Sequence, residues 1–253
     1  PLELVERARA AGVDRILEVG ASPASWDEVV EFCAELEGLE PILGIHPHDA
    51  GDADASDLAR LADLPAVAVG ETGLDYYRDY APRDAQRQLF QAHLAVAEEL
   101  GRPVVIHCRA AELDVARALG DFAGTVVLHC FSSPGLLHPA LERGYYVSFA
   151  GNVTYPNADD LRAAAREIPA ERILAETDTP YLSPQPRRGR PNEPANVVHT
   201  VAALAEARGE HPEELAARID ANADEAFGLG GASRSPRARS SASTSSSTRT
   251  SSV

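Results

Sequence analysis

Six side chains able to hold a metal or move a proton stand in similar settings. His46 and His48 follow the run "PILGI", Glu71 follows "AVAVG", His107 ends "PVVI", His129 ends "VVL" and Asp178 ends "RILAET". Neutral imidazole with carboxylate suits Zn or Mn, and a carboxylate-rich portion also accepts Mg. Singly, each has a plain structural explanation: a histidine at a strand end is commonly a hydrogen-bonded residue, and an acid there often caps the next helix. Glu71, His107, His129 and Asp178 come from four separate apolar runs, and that pattern points to a shared site. A Cys/His zinc finger is not indicated, because neither a C-x-x-C pair nor an H-x-x-x-H spacing occurs.

The elements that must deliver these groups alternate regularly. Short β-branched runs lie at 15–20, 41–47, 66–73, 103–109, 125–131, 145–151 and 172–178, and amphipathic stretches separate them. In 83–100 the apolar residues Leu89, Phe90, Leu94, Ala97 and Leu100 fall on one helical face, and Gly101 then stops the helix. Near-continuous apolar strands alternating with helices predict parallel strands with helical crossovers. Seven strands, preceded by an opening helix, suggest an α/β TIM-type (β/α)8 barrel with seven of its eight strands in this chain. All the polar groups then sit at the C-terminal strand ends, where such barrels build their sites. A doubly wound open sheet is the alternative, although "VGASPASW" is not the Gly-rich phosphate loop expected after its first strand. Strand alternation puts His107 on the face of Val105 and His129 on that of Val127. If the histidines point inward, Cys108 and Cys130 point outward as packing thiols.

The 253 residues, 44% hydrophobic and 25% charged, fit a soluble globular protein. No run approaches the length of a membrane span, and no signal sequence opens the chain. Three cysteines do not make a disulfide framework, so a cytoplasmic setting with reduced thiols is expected. The net charge of -16 argues against a broad non-specific nucleic-acid surface but not against a local basic site. Residues 1–230 are expected to be the barrel. From Gly231 the chain turns Ser/Arg/Thr-rich and is expected to be a disordered tail.

"GIHPHD", "GETGLDYY", "PVVIHCR", "VVLHCFS" and "AETDTPYL…RGRPNEPANV" stand in this order from Pro1 to Leu229. Together they resemble the signatures of the TatD-related metal-dependent deoxyribonucleases, a branch of the amidohydrolase-like barrels. The resemblance implies a two-metal phosphodiesterase centre with Mg, Mn or Zn. The bridging carboxylate falls on Glu71, single imidazole ligands on His107 and His129, and an aspartate ligand that also handles a proton of the attacking water on Asp178. Two such metals stand roughly 3.5–4 Å apart and clamp the attacking and leaving oxygens. Substrate contacts fall on His46 and His48, on Arg109, two residues after His107, and on Arg190, Asn192 and Glu193 of the "RGRPNEP" loop. A metal role for His46 and His48 is the lesser reading.

The family begins with a strand carrying His-x-His, which this chain lacks. The expectation is an N-terminally incomplete form of an active enzyme. One site keeps Glu71, His107 and His129, and the other only Glu71 and Asp178, so of the two metals the chain is expected to hold only one. The implied activity is exonuclease-like hydrolysis of DNA, preferably at single-stranded ends, by a monomer. Competing readings are a barrel hydrolase of another phosphoester, amide or ester, and a non-catalytic barrel.

Overall fold

All seven apolar runs form parallel strands, laid down in chain order: β1 (Ile16–Gly20), β2 (Leu39–Leu43), β3 (Ala68–Asp75), β4 (Val104–Arg109), β5 (Val126–Leu128), β6 (Tyr146–Phe149) and β7 (Ile173–Ala175). The computed structural model describes residues 1–78 and 80–230. The tail expected at 231–253 lies outside the described residues. Among these, β1 and β7 are the two edges of the sheet.

Among the described residues, eight α-helices accompany the strands: α1 (Leu2–Ala10), α2 (Trp26–Glu35), α3 (Arg83–Leu100), α4 (Glu112–Ala118), α5 (Leu137–Arg143), α6 (Asp159–Glu167), α7 (Val197–Arg208) and α8 (Pro212–Phe227). As the periodicity predicts, α3 buries Leu89, Phe90, Leu94 and Ala97 and ends at Gly101, whose φ of 61° suits a residue without Cβ. Each of the larger side chains, Leu89, Phe90 and Leu94, contributes about 1.5–3 kcal/mol on full burial.

Strand alternation divides the core in two. Leu43, Val69, Val104, Ile106, Val126, Leu128, Val147 and Ile173 pack outward against helical residues such as Leu89, Phe90 and Leu204. Ile42, Ala68, Val105, Val127, Tyr146 and Leu174 form one inner cluster with Ala226 and Phe227 of α8. Side chains from β2 through β7 meet in that cluster because the sheet is curled into a barrel wall, and α8 plugs the concave side. The open-sheet alternative is thereby set aside. Trp26, fully buried, ties the ends of β1 and β2 by sharing its indole N–H between the carbonyls of Gly20 and Gly44, 3.0 Å from each.

Two strands are shorter than their apolar runs predict. β5 stops at Leu128 and β7 at Ala175. Cys130 and Asp178 have φ of 44° and 56°, left-handed values at which the chain leaves the pleat and ladder pairing ends.

Candidate metal centre

Glu71 is positioned by an irregularity in β3. Val69 pairs with Val104 and Thr72 with Ile106, so two residues, Gly70 and Glu71, face the single Val105 across the ladder. Such a bulge re-aims a side chain, and here it turns the Glu71 carboxylate toward β4. Two residues on, Gly73 lets β3 lie flush against β4: a Cβ there would stand 2.0 Å from the carbonyl oxygen of His107, and its φ is +136°. Only glycine satisfies both demands.

His107 and His129 share the inward face with Val105 and Val127, as alternation predicts. Nδ1 of His107 is 2.8 Å from Oε1 of Glu71. Nε2 of His129 is 3.4 Å from the same oxygen and 3.9 Å from Oδ1 of Asp178. The structure therefore brings Glu71, His107, His129 and Asp178 together. It adds His46, whose Nε2 lies 3.6 Å from Glu71 Oε1. The ligand atoms of His46, Glu71 and His107 lie within 4.8 Å of one another, and so do those of His129, Cys130 and Asp178.

His48 stands one step back, with Nε2 2.8 Å from Oδ2 of Asp75. Its ring also meets that of His46, at 4.2 Å between centroids. Arg109 reaches the rim, where its guanidinium lies 4.0 Å over the ring of Tyr77. Arg190 is exposed on its loop. Asn192 and Glu193 do not join the cluster. Buried Asn192 donates to the carbonyls of Thr177 and Tyr181, 2.7 Å each, bracing the backbone on both sides of Asp178. Glu193 pairs with Arg7 of α1 at 2.8 Å.

Asp75 and Glu176 were not singled out from the sequence, and Cys130 was read there only as a packing thiol. Asp75 lies four residues beyond Glu71 in β3, a same-face spacing that offered a signal, and its Oδ2 is 3.4 Å from Nε2 of His107. Glu176, two residues before Asp178, places Oε1 2.7 Å from Nδ1 of His129. Cys130 corrects the expectation of an outward packing thiol. β5 has already ended, the left-handed turn reorients the residue, and its Sγ lies 3.9 Å from Oδ2 of Asp178. Cys108, still within β4, packs against the outer core as expected.

The electrostatics follow from packing acids and imidazoles together out of water. Burial pushes the Glu71 carboxyl up, but His129, His107 and His46 outweigh it and hold the group well below the usual carboxylate range. Burial likewise opposes charge on His129, yet Glu176, Glu71 and Asp178 raise it well above an ordinary histidine. Asp178 is pushed up to about 6, first by burial and then by Glu176 and Glu71, against the pull of His129. The ligand atoms of His46, Glu71 and His107, two imidazoles and a carboxylate within 4.8 Å of one another, form a donor set that fits a divalent cation.

The family model for TatD-related DNases matches residues 1–228. The chain belongs to the TatD-related DNase family. The metal-dependent hydrolase YabD of Bacillus subtilis is 37% identical over 233 residues, which cover 89% of this chain and 91% of that protein. The 3'-5' ssDNA/RNA exonuclease TatD of Citrobacter rodentium is 38% identical over 244 residues, 90% of this chain and 91% of the relative. The crystal structure of the TatD homologue YJJV from Escherichia coli superposes with a TM-score of 0.84 at 28% identity, covering 90% of this chain and 91% of that one. The curled parallel sheet is thus the TatD barrel. Among the described residues, no helix is long and apolar enough to cross a membrane.

Proposed function

We propose that this TatD-family protein is a divalent-metal-dependent phosphodiesterase that trims DNA from single-stranded ends. One observation carries the reading: a single carboxylate oxygen, Glu71 Oε1, faces His107, His129 and His46 at 2.8, 3.4 and 3.6 Å. Asp178 flanks that group through His129. Relatives named as metal-dependent hydrolases and as ssDNA/RNA exonucleases support it.

In this reading Glu71, His107, His129 and Asp178 would hold the metal, with His46 completing the donors around Glu71. A bound divalent ion supplies Lewis-acid charge to the phosphoryl oxygens and lowers the pKa of water. The residues of the chain do the rest. Glu176 orients the His129 ring from its far nitrogen, as outer carboxylates do for ligating histidines. Asp75 does the same for His48 and stands behind His107. A carboxylate oxygen of Asp178 takes the proton of the attacking water. Arg109, at the rim, offers guanidinium N–H groups to a phosphate oxygen.

The test is an end-labelled single-stranded oligodeoxynucleotide incubated with the full-length protein and Mg²⁺ or Mn²⁺, with Glu71→Ala as control. Metal-dependent shortening that Glu71→Ala abolishes is expected. Turnover of a small ester or lactone with no shortening would place the protein in another hydrolase class.

A further inference from the structure

Tyr77 and Tyr80 are each 64% exposed, beside a site whose other members are largely buried. They lie in the segment that leaves β3 just past Glu71 and Asp75. Its start is held in place: Oδ1 of Asp75 accepts the backbone N–H of Tyr77 at 2.9 Å and that of Arg78 at 2.8 Å. The two rings are wired to the centre by different contacts. Tyr80 meets the His48 ring edge to face, 4.8 Å between centroids and 88° between planes, while His48 is bonded to Asp75. Tyr77 has the Arg109 guanidinium over it at 4.0 Å, and Arg78 lies 5.7 Å from the Tyr77 centroid and 6.0 Å from that of Tyr80.

Exposed aromatic rings of this size have a hydrophobic surface to cover. Two guanidiniums that pair with no carboxylate among the described residues add local positive charge to a chain of net charge -16. Arginine stacks through its planar face and keeps in-plane N–H groups for phosphate. Aromatic faces interleaved with such cations are the recurring equipment for single-stranded nucleic acid, where bases stack and the backbone is tracked by charge.

We propose that Tyr77 and Tyr80, with Arg109 and Arg78, form the platform on which the terminal bases of a single-stranded nucleic acid stack as the scissile phosphodiester enters the centre. This rests on the nuclease reading above and adds to it which residues seat the strand. Because every base offers a π face, the platform recognises an unpaired end with little regard to its sequence. A duplex end, its bases stacked and paired, would first have to fray.

The experiment compares full-length wild type, Tyr77→Ala, Tyr80→Ala and the two Phe variants. The substrates are a labelled single-stranded oligonucleotide and the same oligonucleotide with abasic nucleotides at both ends. On the normal strand each Ala variant should raise KM about 10-fold, about 1.4 kcal/mol, with the loss falling in KM rather than kcat. The Phe variants, which keep the ring, should retain the wild-type KM. On the abasic-ended strand wild type should lose affinity to the level of the Ala variants, and the Ala variants should lose little more. An unchanged KM in the Ala variants, or an equal Ala penalty on both substrates, overturns the platform while leaving the nuclease reading standing. If wild type shortens neither strand, the nuclease reading falls and takes the platform with it.

Discussion

Nδ1 of His107 lies 2.8 Å from Oε1 of Glu71, across the ladder between two neighbouring strands. That distance exists because β3 carries one residue more than β4 between Val69 and Thr72, and because Gly73 lets the backbones touch. The chemistry of the centre therefore depends on backbone features that bind nothing themselves.

Gly73→Ala tests this dependence. A Cβ at Gly73 would meet the His107 carbonyl oxygen at 2.0 Å, whereas one at Gly101 would meet nothing within 4 Å. Gly101→Ala should cost only the left-handed backbone term, about 1–2 kcal/mol, and leave metal affinity unchanged. Gly73→Ala must also push β3 from β4, so it should cost more than Gly101→Ala and weaken Mn²⁺ binding. Urea unfolding followed by the single tryptophan, Trp26, and a metal titration measure the two effects. Equal costs for the two substitutions would show that the strands have room to give.

Asn192 has a structural task close to the chemistry. Its amide N–H groups hold Thr177 and Tyr181, and its Oδ1 accepts from Glu193 N at 3.0 Å and Asn196 Nδ2 at 2.9 Å. Asn192→Asp keeps the acceptors and loses both donors to the backbone around Asp178. It should cost about 1–3 kcal/mol for the unpaired carbonyls and lower kcat. A kcat equal to that of wild type would mean that Asp178 holds its left-handed turn unaided.

His93 sets a pH limit on stability away from the metal ligands. Fully buried, its Nε2 accepts the Ile45 N–H at 3.0 Å and its Nδ1 lies 2.8 Å from the Leu89 carbonyl oxygen. Burial lowers its pKa to about 4, against the pull of the Leu89 carbonyl. The unfolded chain takes up this proton near its ordinary value of about 6.5 and the folded chain does not. The contribution is therefore fully present above about 6.5 and is lost, at up to about 1.4 kcal/mol per pH unit, as the pH falls toward about 4. The stability difference between wild type and His93→Gln should shift by about 2 kcal/mol in favour of the variant between pH 7 and pH 4.5. A difference that does not vary with pH would mean that water reaches the ring.

Much of this could be read in the sequence, for physical reasons. Apolar period and strand-end polarity placed Glu71, His107, His129 and Asp178 at one rim, and alternation turned His107 and His129 inward. Alternation failed at Cys130 because it presumes that the strand continues, and a left-handed residue is not legible in the letters "HCFS". The "RGRPNEP" letters do not show that Asn192 braces the backbone at Thr177 and Tyr181 or that Glu193 pairs with Arg7, because both contacts are made across the fold. Asp75 was readable from its i+4 strand spacing to Glu71. The closeness of His46 to Glu71 was not, since it depends on how β2 and β3 curl.

Isothermal titration of Mn²⁺ into the full-length protein and into Glu71→Gln asks whether the metal is held at Glu71. The substitution removes one charge and keeps the shape of the side chain that faces His107, His129 and His46. If Glu71 is the carboxylate shared by the donor groups, affinity should fall at least about 100-fold, about 2.7 kcal/mol. Equal Mn²⁺ affinity in the two proteins would place the metal, and the hydrolysis with it, elsewhere.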